Sequence, residues 1–290
     1  MNGRKSGMSI RTDLALETVA AAKTEIPGII QEKREGAGCT VTEITVESDM
    51  AGMRIGKSKG IYVTVETDRA NADSDEFNEA VDAMAEEIGR LLPKEGEILV
   101  LGLGNNDITP DALGPQAIAR ILATRHLSAE LGPEHPFSAL RPVCALAPGV
   151  LGQTGIEVAE IARSLCDRIK PAGVIAVDAL ACADIKRLGR TIQITDTGIS
   201  PGSGVQNKRK EISKATLGVP VVALGVPTVV DMHTIAENIS GKAPEPDMPN
   251  MIVTPRDIDK LIERMAKFVG FAINKALFPE MTVEDFIALA

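Results

Sequence analysis

Four aspartates stand where an α/β chain can place its chemistry. Asp111 follows "VLGLGNNDITP", Asp178 closes "VIAV", Asp231 closes "GVPTVV" and Asp196 closes "TIQIT". In an open α/β sheet, ligands bind beyond the carboxyl ends of the strands, where the strand order reverses. Two carboxylates brought together there cannot both ionise easily, so one keeps its proton while the other stays charged. The charged member can take a proton from a water that attacks a carbonyl carbon, and the protonated member can polarise the carbonyl oxygen. Backbone N–H groups around Gly102, Gly104 and Asn105 are candidates to stabilise the oxyanion.

Other chemistries fit the residues less well. "GLGNND" has Gly102 and Gly104 but Asp107 where a dinucleotide fingerprint needs Gly or Ala, and a carboxylate there repels a pyrophosphate. Gly102 and Gly104 alone need mean only a tight strand-to-helix turn. No G-x-S-x-G elbow supports a serine triad. Cys182, four residues past Asp178, has no histidine at an obvious partner position, and a small buried cysteine is the commoner case. His126, His135 and His233 lack metal-ligand spacing. Asp196-Thr197-Gly198 is the tripeptide of pepsin-like proteases, but those enzymes are all-β and need two copies. Here it occurs once, in an α/β pattern, and the following Ser-Pro-Gly-Ser-Gly is good turn chemistry.

The elements that must position these groups can be read from periodicity. "CTVTEITV" (39–46) and "GIYVTVE" (60–66) are β-branched runs expected to pair, with the turn-rich "ESDMAGMRIGKSK" between them. Phe77, Val81, Met84, Ile88 and Leu91 mark a helix from Ser74 that stops at Pro93. "EILVLGLG" (97–104) is a buried strand, and a helix opens near Pro110 or Pro115 carrying Ile118, Ile121 and Leu122. "VCALAPG" (143–149) is a short strand. Residues 154–169 predict a helix with a capping box from Thr154 to Glu157. "GVIAVDAL" (173–180) is a strand ending at its aspartate, and 191–198 and 219–231 supply further strands. A last helix is expected from Thr254, with Pro255 at its first position. Strands alternating with helices give an α/β fold: a mainly parallel sheet sandwiched by helices, with antiparallel edge strands.

Composition narrows the partners. The 290 residues carry a net charge of −9 and 2% aromatics, which disfavours both a phosphate-backbone contact and a base-stacking platform, so no nucleic-acid partner is expected. No apolar run approaches a membrane span and the first residues lack a secretory core. The four dispersed cysteines fit a reducing cytoplasm.

Longer motifs are more specific. "GLGNNDITPDALGP" (102–115), "LAPGVLGQTGIE" (146–157), "VDALA" (177–181), "TIQITDTGISPGSGVQNKRKEIS" (191–213) and "GVPTVVD" (225–231) closely resemble the spore germination protease family. The likeness runs from "IRTDLALE" to "MIVTPRDIDKLIERMAKFVGFAINKALF", nearly the whole chain. It implies an atypical aspartic endopeptidase with a fold similar to hydrogenase maturation endopeptidases. Its essential aspartates match Asp111 in "TPDALGP" and Asp178 in "DALA", leaving Asp196 as a supporting cleft residue. It implies no cofactor and no metal, small acid-soluble spore proteins as substrates, a homotetramer, and the cytoplasm of the spore core. It also implies a zymogen: residues 1–13 as propeptide and 14–290 as a single peptidase domain. Thr12-Asp13-Leu14-Ala15-Leu16-Glu17-Thr18 has the pattern of the sites cut in the substrates, Thr-Glu-Ile-Ala-x-Glu-Thr, which implies self-cleavage between Asp13 and Leu14. The chain departs from the family where a basic residue is expected near Ala183, where Gln206 replaces Gly, and in a shorter loop between His233 and Met251. Two alternatives remain at this point. One is a phosphorylase-like enzyme binding phosphate at "GLGN" and "SPGSG". The other is a nickel-dependent maturation peptidase.

Overall fold

A computed structural model describes residues 11–22, 24–71, 74–130, 139–202, 209–242 and 249–289. His135, Gln206, and Ser203 and Gly204 of "SPGSG" lie outside them, as do residues 1–10 of the expected propeptide. In chain order the elements are α1 (Ala15–Ala21), β1 (Ile29–Gly36), β2 (Cys39–Val46), α2 (Asp49–Ile55), β3 (Gly60–Thr67), α3 (Ser74–Leu91), β4 (Ile98–Gly102), α4 (Leu113–Ile118) and α5 (Leu127–Glu130). They continue as β5 (Val143–Leu146), α6 (Leu151–Thr154), α7 (Val158–Ile169), β6 (Gly173–Cys182), β7 (Thr191–Thr195) and α8 (Lys214–Leu217). The chain ends with β8 (Val221–Asp231), α9 (Met232–Ser240), β9 (Ile252–Val253), α10 (Ile258–Leu277) and α11 (Val283–Leu289).

One sheet runs in the order β1-β2-β3-β7-β8-β6-β4-β5, with β9 beside β8. Strands β8, β6, β4 and β5 pair in parallel; β1, β2, β3 and β7 form an antiparallel flank, and β7 joins β8 antiparallel. The parallel strands are continuous apolar runs because helices cover both faces: all eleven residues of β8 are buried. One face packs α3, α4 and α10 through residues such as Met84, Leu113 and Phe268. The other packs α7 and α8 through Ala162, Cys166 and Leu217 against Leu99, Leu101 and Val174. Among the described residues, no helix is long and apolar enough to cross a membrane.

Several sequence expectations are corrected. The stretch between β2 and β3 folds as α2, capped by Ser48 Oγ accepting the Ala51 N–H at 3.2 Å and closed by Gly56 at φ 66°. Strand β1, "IIQEKREG", escaped the apolar pattern because it is an exposed edge. Its hairpin to β2 turns through two left-handed residues, Ala37 and Gly38. Helix α4 ends at Ile118, before Ile121 and Leu122. There the chain is taken over by Asn274 of α10, which accepts the Leu122 N–H at 3.0 Å and donates to the Arg120 carbonyl at 2.9 Å. Thr154 caps no helix. It ends α6, and its hydroxyl accepts the Ile156 N–H, so α7 starts at Val158. Thr254 gives its hydroxyl to the Thr228 carbonyl at 3.0 Å, which leaves α10 to start at Ile258, and α11 follows it.

Candidate active site

Asp178 does not end its strand: β6 continues to Cys182. What ends is its neighbour β4, whose last residue Gly102 pairs with Val177. Asp178 is thus the first residue of β6 clear of β4, and the chain leaving β4 carries Asp111 back towards it. That return depends on glycine. A Cβ on Gly102 would lie 2.4 Å from the Gly114 carbonyl oxygen, and one on Gly104, at φ +109°, would lie 2.1 Å from that of Asp111. Gly114 is equally confined, because its Cβ would meet Leu103 O at 2.2 Å and Val177 O at 2.6 Å. Gly114→Ala is therefore expected to cost roughly 1–3 kcal/mol by overpacking against backbone that cannot yield. It is also expected to displace Asp111, so thermal unfolding and peptidase assays should show a lower midpoint and reduced turnover together.

The loop is tied down at both ends. Leu103 N–H donates to Val177 O at 2.8 Å, and Asn105 N–H donates to both Asp111 O (3.1 Å) and Asp111 Oδ2 (2.8 Å). Gln153 Nε2 donates to Asn105 Oδ1 and Asp107 Oδ2, each at 2.9 Å. Of the expected oxyanion donors, the Asn105 N–H is thus committed to Asp111, and the Leu103 N–H beside it holds the turn. Asn105 bonds Asp111, while Gly102 and Gly104 leave room for the returning chain.

Asp111 and Asp178 line one cavity of about 580 Å³, together with Leu103, Ile108, Val150, Leu151, Leu180 and Val229. This apolar lining moves both carboxyls the same way. Burial pushes Asp178 well above the usual carboxylate range, and the charges of Asp111 and Asp13 push it further against one bond from the Ala179 N–H. Burial also raises Asp111, opposed by the Asn105 N–H. Asp178 is 4% exposed while Asp111 is half-buried, so burial favours the protonated form more strongly at Asp178.

Two further carboxylates, Asp13 and Glu157, line the same cavity. Residues 11–13 are not a loose tail. Asp13 N–H donates to Ala181 O and Ala181 N–H to Asp13 Oδ2, both at 2.9 Å, so the segment runs along the end of β6. Arg11 Nη1 pairs with Asp231 Oδ2 at 2.6 Å. Leu14 is fully buried among Leu180, Cys182 and Val230. Glu17 accepts the Ala183 and Asp184 N–H groups at 2.7 and 2.9 Å and lies 3.3 Å from Arg187 Nε.

The remaining candidates are used elsewhere. Asp196 Oδ1 accepts the Ile61 N–H at 2.8 Å, fastening the end of β7 to the start of β3 rather than facing Asp178. Asp231 caps α9 through the Thr234 N–H at 3.2 Å. The Cys182 thiol is driven up by burial and then by Glu17 and Asp184, which suits packing and not nucleophilic attack. Among the described residues no group of three or more His, Cys, Asp or Glu could hold a metal ion. Arg187, beside Glu17, and Lys57 and Gln193, which line a neighbouring cavity with Asp13, were not legible in the sequence, since no spacing marks a residue that meets the N-terminal segment from a loop or an antiparallel strand.

A family model described as germination protease matches residues 10–240. The chain belongs to the germination protease family. It is 39% identical to a Clostridium perfringens germination protease over an alignment covering 96% of this chain and 98% of that one. It is 47% identical to a Bacillus subtilis germination protease over 79% of this chain and 65% of that one. Among solved structures, a NiFe hydrogenase maturation protease from Thermococcus kodakarensis matches with a TM-score of 0.32 and 20% identity, covering 64% of this chain and 98% of that chain. The chain is thus a protease, and family membership sets aside the phosphorylase-like reading of "GLGN".

Proposed function

We propose that this germination protease hydrolyses small acid-soluble spore proteins through the Asp111–Asp178 pair, and that it is made as a zymogen cut by itself between Asp13 and Leu14. The observation that carries this reading is the seating of Arg11–Glu17 at the ends of β6 and β8, with Asp13 in the cavity of both aspartates. The chain holds its own copy of a cleavable sequence where a substrate would lie. Asp111, the more exposed carboxylate, takes a proton from water as the water adds to the carbonyl carbon. Asp178 gives its proton to the departing nitrogen as the C–N bond breaks. Transfer of the proton from Asp111 to Asp178 restores the pair. The acidic residue four places after the cut is read by the Ala183 and Asp184 N–H groups and Arg187. Arg187 supplies the positive charge that the sequence lacks near Ala183.

In this reading the working form is a homotetramer in the cytoplasm of the spore core, as the family resemblance implies. Incubating purified protein with a small acid-soluble spore protein and mapping the products tests the assignment. Cuts after acidic residues in Thr-Glu-Ile-Ala-like sites are expected, and an intact spore protein overturns it. Activity is expected to survive exhaustive chelation, since this mechanism asks nothing of a metal. Loss with EDTA, restored by one divalent ion, would place the protein with the nickel-dependent peptidases.

A further inference from the structure

The carbonyl oxygen of Asp13 is held by residues of a second cavity, which Asp13 lines along with that of the aspartates. Lys57 Nζ donates to it at 2.6 Å and Gln193 Nε2 at 3.0 Å. Gln193 also accepts the Ala15 N–H on Oε1 at 2.6 Å. Its amide therefore spans the Asp13–Leu14 bond in the one orientation that satisfies both neighbours. We infer that Lys57 and Gln193 form the oxyanion site for peptide hydrolysis, an assignment that rests on the peptidase reading above.

Both donors are preorganised. Gln193 is buried in the middle of β7, between Thr64 of β3 and Gly225 of β8. Lys57 follows the left-handed Gly56 that closes α2, and its N–H returns to Gly52 O at 3.0 Å. Gly52 keeps that turn tight, because a Cβ there would lie 2.2 Å from Lys57 O. Among the described residues Lys57 forms no salt bridge, and burial lowers its pKa against the attraction of Asp13 and Glu17. A half-buried cation without an ion-pair partner is costly unless its charge is needed. Its need here is the negative charge that develops on the Asp13 oxygen when water adds. The division of labour is then complete. Asp111 receives the water's proton, Lys57 and Gln193 hold the oxygen that gains charge, and Asp178 protonates the Leu14 nitrogen as the bond breaks. The oxygen regains its double bond in that collapse, and no proton is left unassigned.

The test uses the full chain and reads two quantities, the rate of appearance of an N-terminus at Leu14 and the hydrogen-exchange protection of the Asp13 and Ala15 amides. Lys57→Met is expected to lower the rate about 10²–10³-fold while Asp13 stays protected by Ala181. Lys57→Arg should recover part of the rate. Gln193→Leu should lower the rate and also expose the Ala15 amide. Wild-type rates in Lys57→Met overturn the assignment, as does a slow variant whose Asp13 amide has lost protection, since Lys57 is then only a clamp. If the wild type cuts no peptide bond, in its own chain or in a spore protein, the peptidase reading falls and takes the oxyanion site with it.

Discussion

Protein carrying Asp178→Asn is expected to be folded, more heat-stable than wild type at pH 7, and inactive as a peptidase. The amide fills the same volume but cannot deliver a proton to the leaving nitrogen, and losses of 10²–10⁴-fold or more are typical for a removed general acid. Asp111→Asn should be equally inactive, for want of a base. Asp196→Asn should keep most activity, because that side chain is spent on the Ile61 N–H. The stability arm follows from the direction of the shift. The Asp178 carboxyl is raised above its ordinary value by burial, then by Asp111 and Asp13. Its protonated form therefore suits the fold, and stability is fully present below the ordinary carboxylate range and falls as pH rises through the raised value. Asn removes that loss, so the melting temperature of the variant should rise by about 2–4 °C for each kcal/mol relieved and depend less on pH. Activity of the wild type should rise as Asp111 ionises and fall as Asp178 loses its proton. Both limbs are displaced upward from the usual aspartate range, because both carboxyls are raised. Melting curves and pH–rate profiles check both arms. An active Asp178→Asn beside a dead Asp196→Asn would refute the assignment.

The second large effect is a change in the length of the chain. Full-length protein held at mildly acidic pH is expected to convert to a form beginning at Leu14, visible by mass spectrometry, while Asp178→Asn stays intact. Four carboxylates, Asp13, Asp111, Glu157 and Asp178, line one cavity with Arg209, and acidification relieves the repulsion at Asp111 and Asp178, whose carboxyls are raised. The removed piece carries Arg4, Lys5 and Arg11 against Asp13, so the mature chain is more acidic. It also takes away the Arg11–Asp231 ion pair and the two hydrogen bonds between Asp13 and Ala181, opening the cavity to a substrate. Leu14→Asp should prevent the conversion, because a charge in the pocket of Leu180, Cys182 and Val230 is expelled and draws the bond out of place. An intact N-terminus in protein fully active on spore proteins would end the zymogen reading.

Much of this protein was legible without coordinates. Continuous apolar runs identified β4, β6 and β8 because a strand covered on both faces needs such residues wherever it lies in the chain. The long motifs gave the family, and family likeness, not spacing, selected Asp111 and Asp178 over Asp196 and Asp231. The exposed edge β1 carried no such mark. The starts of α7 and α10 were misread because Thr154 and Thr254 have hydroxyls suited to capping but use them in a turn and on β8. Only the tertiary structure decided that Lys57, Gln193 and Asp13 meet. Asp13 is 44 residues from Lys57 and 180 from Gln193, separations over which no local propensity acts. Their meeting depends on β7 lying between β3 and β8, and on the N-terminal segment pairing with the end of β6. The difference between the two aspartates was likewise a matter of environment, because an apolar wall raises a carboxyl further than a position half in water.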